Sequence, residues 1–279
     1  MMQLAGARHS ASIIRANLNY IADNGVAPVV YVDWPEMEHK ATPPQYELRE
    51  VEIRNGRPLR ERFELDVHGF AFVDHDTKVR DFADPSERKA VYDLEIANLI
   101  RHCSGASEVM VFDHTIRVGD LRTRTTLSAR APVKGVHNDY TENSAPRRLR
   151  DILGETEAER RLHQRFAIIQ VWRPIHRKVL IDPLAICDAR SIPEEGFVVL
   201  QRRYPDRTAE VYHIAYNPRH IWYYFPEMER HEALVFKVFD SDETGPARFT
   251  AHTAFDDPNT PADAWPRESI ETRTFAFFD

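Results

Sequence analysis

The apolar positions of this chain fall into many short runs, most of them alternating with polar residues and closed by turn residues. Runs rich in β-branched and aromatic residues read as strands. They lie at 29–32, 46–53, 69–73, 108–112, 133–140 and 166–172. The series continues at 197–203, 209–216, 221–225, 234–239, 248–255 and 269–278. One helix stands out among them. Asp84-Pro85-Ser86-Glu87 is a start signal, Val91, Leu94, Ala97 and Ile100 keep helical spacing, and Gly105 gives a stop. Two shorter helices are expected within 144–164, where Arg, Glu and Leu recur at helical periods. So many short strands from about residue 108 onward predict an antiparallel sandwich or barrel, mainly β with helical decoration.

Composition narrows the classes. The 279 residues are 42% hydrophobic, enough for a sizeable core, and the net charge of −7 argues against general nucleic-acid binding. The basic run Arg147-Arg148-Leu149-Arg150 reads as a solvated helix face near a terminus. Cys103 and Cys187 are too few for a disulfide framework and read as buried thiols. The first twenty residues hold no long apolar run, so neither a signal peptide nor a membrane span is expected there, and the expected location is cytoplasmic. None of the ten glycines forms a GxGxxG or phosphate-loop pattern, which discounts NAD and ATP.

The chemistry starts at Val136-His137-Asn138-Asp139-Tyr140. With 13 His and 44 acidic residues, roughly two His-x-acid pairs are expected by chance, so this one pair is weak alone. On a strand, however, residues two apart share a face. His137 and Asp139 would project together and Asn138 away. Two His and one carboxylate make a facial triad that leaves open positions on Fe(II). Two histidines compete for the third place, His220 and His252. His252 has the better context, because Pro266-Arg267-Glu268-Ser269 follows it and opens the last apolar strand. Arg267 and Ser269 share parity, and a guanidinium beside a hydroxyl is a receptor for a carboxylate.

This order resembles that of the Fe(II)/2-oxoglutarate-dependent oxygenases of the double-stranded β-helix fold. More narrowly, several stretches resemble a microbial natural-product hydroxylase/desaturase family that includes the small component of the cephem methoxylase. They are 137–141, 170–175, 183–188, 222–225, 237–241, 252–255 and 266–271. The resemblance runs from about residue 65 to the C-terminus. It implies one oxygenase domain over 1–279, with a jelly-roll, cupin-like core at about 65–279 and an N-terminal extension over 1–64. It also implies Fe(II) on His137, Asp139 and His252. The distal carboxylate of the cosubstrate 2-oxoglutarate would pair with Arg267, helped by Ser269, with Arg273 a rival of the same parity. The implied partners are O2 and a small-molecule substrate, with no nucleic acid and no membrane; hydroxylation, desaturation and cyclisation all remain open.

Other residues carry secondary readings. Gln170 and Trp172 share a strand face, Gln170 aimed at the cosubstrate and Trp172 either at the substrate or into the core. Tyr223 and Tyr224 point to opposite faces, one into the core and the other, Tyr224, toward the pocket. The polar stretch 119–132, with Arg122, Arg124 and Arg130, is either a lid over substrate or a solvated loop. Asp182 and Asp188 read as turn residues. A cupin-like isomerase, hydrolase or 2-oxoglutarate-independent dioxygenase would keep the metal but not the Arg267–Ser269 role. A barrel used as a binding module would keep neither.

Overall fold

The computed structural model describes residues 12–127 and 129–279. Residues 1–11, part of the expected N-terminal extension, and Ser128, in the polar stretch 119–132, lie outside the described residues. Among the described residues fourteen strands follow one another in chain order. The first five are β1 (Ile13–Ile21), β2 (Val29–Tyr31), β3 (Tyr46–Asn55), β4 (Phe70–Asp74) and β5 (Glu108–Val118). Next come β6 (His137–Asn138), β7 (Phe166–Pro174), β8 (Leu184–Cys187), β9 (Phe197–Arg203) and β10 (Thr208–Ile214). The last four are β11 (Trp222–Tyr224), β12 (Glu232–Asp240), β13 (His252–Ala254) and β14 (Glu268–Phe277). They form a nine-stranded sheet, β1-β3-β11-β8-β13-β6-β10-β9-β2, and a five-stranded sheet, β4-β12-β7-β14-β5. The chain is thus mainly β, with helices at the margins.

The five-stranded sheet shows why its residues take the faces they do. Along β7, Phe166, Ile168 and Trp172 face the larger sheet, in one apolar cluster with Leu234, Phe236, Phe275 and Phe277. Ala167, Ile169 and Val171 face the other way, against Ile96 and Ile100 of the helix Asp93–Ser104. Both faces are therefore covered, and β7 and β12 are buried throughout. The helix is entered at Asp84, whose side chain accepts from the Ser86 backbone N–H at 2.8 Å, and passes through a π turn, Arg88–Tyr92. It ends at Gly105, left-handed at φ 73°.

The inner face of β14 changes character along its length. Phe275 and Phe277 continue the apolar core, whereas Arg273, Glu271 and Ser269, at the same parity, are buried polar groups. Opposite them on β7, Gln170 pairs with Arg273 and Trp172 with Glu271. One end of the sandwich is thus filled with apolar side chains and the other with polar ones, a cost that folding alone does not demand.

Three expectations change. The stretch 133–140 contributes only His137–Asn138 to a strand, because its neighbours bond elsewhere: Val136 N–H to Asn19 and Val133 C=O to Ala254. Likewise 248–255 contributes only His252–Ala254. The stretch 119–132 is not a plain loop at its centre but a helix, Leu121–Leu127, started by Asp120 accepting from Thr123 at 2.7 Å. Among the described residues no helix is long and apolar enough to cross a membrane.

Candidate metal centre and the two clefts beside it

β6 lies between β13 and β10, so His137 stands opposite His252 on one side and His213 on the other. Directly opposed side chains on neighbouring strands come close, and the His137 and His252 rings are 4.4 Å apart at their centroids. Asp139, just beyond the strand, brings Oδ1 to 3.4 Å from His137 Nε2. One ligand atom from each of the three lies within 4.8 Å of the others. Asn138 ties the segment down. Its amide donates to the carbonyls of Tyr140 at 2.7 Å and Val238 at 2.8 Å, and its oxygen accepts from Thr250 N–H at 3.1 Å.

The two imidazoles are oriented by backbone carbonyls. His137 Nδ1 meets Gly135 O at 2.7 Å and His252 Nδ1 meets Thr250 O at 3.2 Å. A carbonyl only accepts, so each Nδ1 carries the proton and each Nε2 keeps its lone pair for the cluster. His252 Nε2 is buried with no hydrogen-bond partner. Burial, then the neighbouring His137, pushes the His252 pKa down to about 4, which keeps the ring neutral. Thr250 is itself held against Gly69. Gly69 is left-handed (φ 87°), and a Cβ there would stand 2.2 Å from Thr250 Oγ1. That position requires glycine.

Asp139 divides its oxygens. Oδ2 accepts from Gln170 Nε2 at 2.7 Å and from Arg273 Nη2 at 2.8 Å and Nε at 3.2 Å. Oδ1 is left facing the histidines. Burial opposes the ionised carboxylate, but Arg273 and then the two histidines outweigh it and hold the group well below the usual carboxylate range. The remaining Arg273 N–H groups go to Asp113 at 2.7 Å, Thr115 Oγ1 at 2.9 Å and Glu271. A guanidinium has five N–H donors, and all of those of Arg273 are taken.

Arg267 is the opposite case. It is buried, with one Nη1 bond to the Asp182 carbonyl and Nε without a partner. Its guanidinium lies 5.5 Å over the Trp172 ring. Burial, then Arg117, pushes its pKa down to about 10. Ser269 Oγ is also buried without a partner. Arg267 shares a narrow cleft with Arg117, His137, Trp172, His252 and Glu271. On the other flank of Asp139 lies a second pocket, of about 260 Å³, whose lining includes Asp139, Tyr140, Asp113 and Arg273.

The other predicted residues fall as follows. Gln170 bonds the Asp139 carboxylate. Trp172 lines the Arg267 cleft, away from the larger pocket. Tyr223 faces the main core, whereas Tyr224 packs against Phe255 and lines neither cleft. His220 is remote from the cluster: its Nδ1 lies 3.1 Å from Tyr20 OH, which also accepts from Trp222 at 2.7 Å. A second grouping, Asp74, His231 and Glu232, is engaged with arginines instead. Arg57 holds Glu232 at 2.6 and 2.7 Å, and Arg60 holds Asp74 at 2.8 Å. The sequence reading did not single out Glu271, Arg117 or His213. The first signal was present, since Glu271 continues the parity of Arg267 and Ser269.

Two imidazoles with Nε2 turned to the cluster and one carboxylate with its second oxygen occupied fit a divalent iron that keeps open positions. The free Nε of Arg267 and the unpartnered hydroxyl of Ser269 fit a carboxylate close by. Comparisons with known proteins agree. Residues 18–277 match the family model described as Oxidoreductase/YMDC permease-like domain. The hydroxylase/desaturase CTB9 of Cercospora beticola is 38% identical over 256 residues, covering 84% of this chain and 78% of that protein. The alpha-ketoglutarate-dependent dioxygenase tstK of Talaromyces stipitatus is 30% identical, covering 94% and 96%. The solved structure of the iron and alpha-ketoglutarate-dependent endoperoxidase NvfI superposes with a TM-score of 0.86 at 26% identity, covering 96% of this chain and 99% of that one. The chain belongs to the Fe(II)/2-oxoglutarate-dependent dioxygenase family of natural-product hydroxylases and desaturases, on the cupin-like fold of those enzymes.

Proposed function

We propose that His137, Asp139 and His252 hold Fe(II), that Arg267 and Ser269 hold 2-oxoglutarate, and that a small molecule in the larger pocket is hydroxylated, desaturated or cyclised. The observation that carries this is the pair of Nε2 lone pairs turned toward one carboxylate oxygen, with His252 Nε2 buried and unpartnered. When bound, iron and 2-oxoglutarate together supply the oxidant that removes substrate hydrogen, with O2 consumed and succinate and CO2 formed. The side chains do the rest. Arg267 neutralises the far carboxylate of the cosubstrate in a cleft poor in water, and Trp172 forms its wall. Gln170 and Arg273 orient Asp139. None of them needs to act as a general base.

The chain is proposed to work as one oxygenase domain over 1–279. In support, β1 and β3 of the N-terminal segment extend the sheet that carries His137 and His252. Its two unpaired cysteines suit a reducing cytoplasm. The test is an anaerobic titration of the protein with Fe(II) and 2-oxoglutarate. A visible charge-transfer band is expected, and its absence would favour a cupin-like isomerase or hydrolase. His137→Ala is expected to lose iron binding and with it succinate formation; full succinate formation by that variant would sink the proposal.

A further inference from the structure

The larger pocket has an unusual wall. On one side stands the helix Ser144–Leu153, which turns Ser144, Arg147, Arg148 and Asp151 toward the pocket. Their spacing is that of a single helix face. On the other side stands the β9–β10 hairpin, with Arg202, Arg207 and Glu210. Arg130 completes the rim.

Among the described residues none of these rim arginines has an ion-pair partner within 4.0 Å. Arg147 donates only to the Thr208 carbonyl, at 3.1 Å. Arg148 lies over Phe112 at 5.6 Å, and Arg207 over Tyr204 at 4.6 Å. The nearby acids balance them only in part. The pocket lining holds six arginines, Arg273 included, against the four acids Asp113, Asp139, Asp151 and Glu210, and Asp113 and Asp139 are both held by Arg273. Arg150, in the same sequence run, turns away and pairs with Glu155 and Glu159. In a chain of net charge −7, this concentration of unpaired cations sits at one place, directly over a metal ligand.

We infer that the substrate is an anion: a small molecule whose carboxylate is held by Arg148, Arg202 and Arg207 while its neutral part reaches Asp139. The planar guanidinium fork matches a carboxylate, and clustered forks in a concave site draw anions from solution. The pocket volume of about 260 Å³ suits a compact molecule. The inference rests on the proposed function, because the pocket becomes a substrate site only if the metal centre lies at its floor.

The test uses protein loaded with Fe(II) and saturating 2-oxoglutarate under anaerobic conditions, so that Arg267 is already occupied. Benzoate, phthalate and trimesate, which carry one, two and three carboxylates on the same ring, are titrated by calorimetry beside their methyl esters. Affinity should rise along the acid series, and the esters should bind at least about tenfold more weakly. The double change Arg148→Gln with Arg202→Gln should weaken trimesate at least about tenfold, while Lys at both positions retains part of it. Arg207→Gln alone, on the hairpin, is a second variant with a smaller loss. In all of these the 2-oxoglutarate midpoint of the charge-transfer band should not move. Equal binding of acids and esters, no saturable binding of the acids, or wild-type trimesate affinity in the Gln variants would overturn the inference. A missing charge-transfer band condemns the iron reading instead, and the calorimetry still decides the anion question.

Discussion

The two clefts that flank Asp139 are built on opposite principles. In the narrow one, the buried guanidinium of Arg267 is fixed by a carbonyl and an aromatic ring and has an N–H to spare, while the neighbouring Arg117 is paired with Glu271. In the wide one, several arginines on a helix and a hairpin are partly exposed and point into a space of about 260 Å³. A buried cation without a counter-charge is costly, and a ligand that supplies the counter-charge offsets that cost. Such a site suits one ligand of fixed size. Exposed arginines cost little to keep and can adjust, which suits ligands of more than one shape. Arg273 stands between the clefts, bonded to Asp139, to Glu271 of the narrow one and to Asp113 of the wide one.

The largest effect that separates the clefts is expected at Arg267. Removing one partner of a desolvated charge pair costs several kcal/mol. Arg267→Ala should therefore raise the 2-oxoglutarate requirement on the order of 30-fold or more. Trimesate binding in the wide cleft should stay within about twofold, a change of about 0.4 kcal/mol. If both shift together, the clefts are one site and the comparison fails. A smaller effect is expected at Gln170, which donates to Asp139 Oδ2. Groups that orient a metal-bound carboxylate are worth about 10- to 100-fold in metal affinity. Gln170→Leu should weaken Fe(II) by that order, as read by anaerobic metal titration, with the thermal midpoint recorded to separate positioning from folding. Unchanged iron affinity would make Gln170 an ordinary core residue.

These tests also mark what the sequence made legible. β7 and β12 of the five-stranded sheet are plain because both faces are buried and the runs are long and largely apolar. β1 was readable in the same way: Ile14, Ala16, Leu18 and Tyr20 are buried while Arg15 and Asn17 are exposed. The polar residues between them hid it. β8 is only four residues long and flanked by aspartates, so it looked like a turn. The cluster His137, Asp139 and His252 could be proposed from parity and order along the chain. Its register could not, because the cross-strand pair joins residues 115 positions apart through bonds that no local pattern encodes. The same limit applies to Arg267 and Arg273. Both have the right parity, and only the three-dimensional partners distinguish an arginine with every N–H engaged from one with an N–H free. The basic run at 147–150 was read as a solvated face. That holds for Arg150, whereas Arg147 and Arg148 turn to the pocket.

Arg150 therefore supplies the smallest and most discriminating prediction. It shares the helix, the charge and the sequence run of Arg147 and Arg148, and differs only in the direction it faces. Its nitrogens lie 2.7 Å from Glu159 and 3.5 Å from Glu155, with its side chain 37% exposed. Exposed pairs of this kind are worth about 0.2–1 kcal/mol. Arg150→Gln should lower stability by no more than that in denaturant unfolding, and the loss should shrink further in high salt. Because the variant removes the same unit charge as Arg148→Gln, any long-range effect of net charge on anion binding should be similar in the two. Trimesate affinity that falls equally in both variants would mean that the pocket reads overall charge. A loss confined to Arg148→Gln would mean that it reads the position of a guanidinium, which is what a substrate site requires.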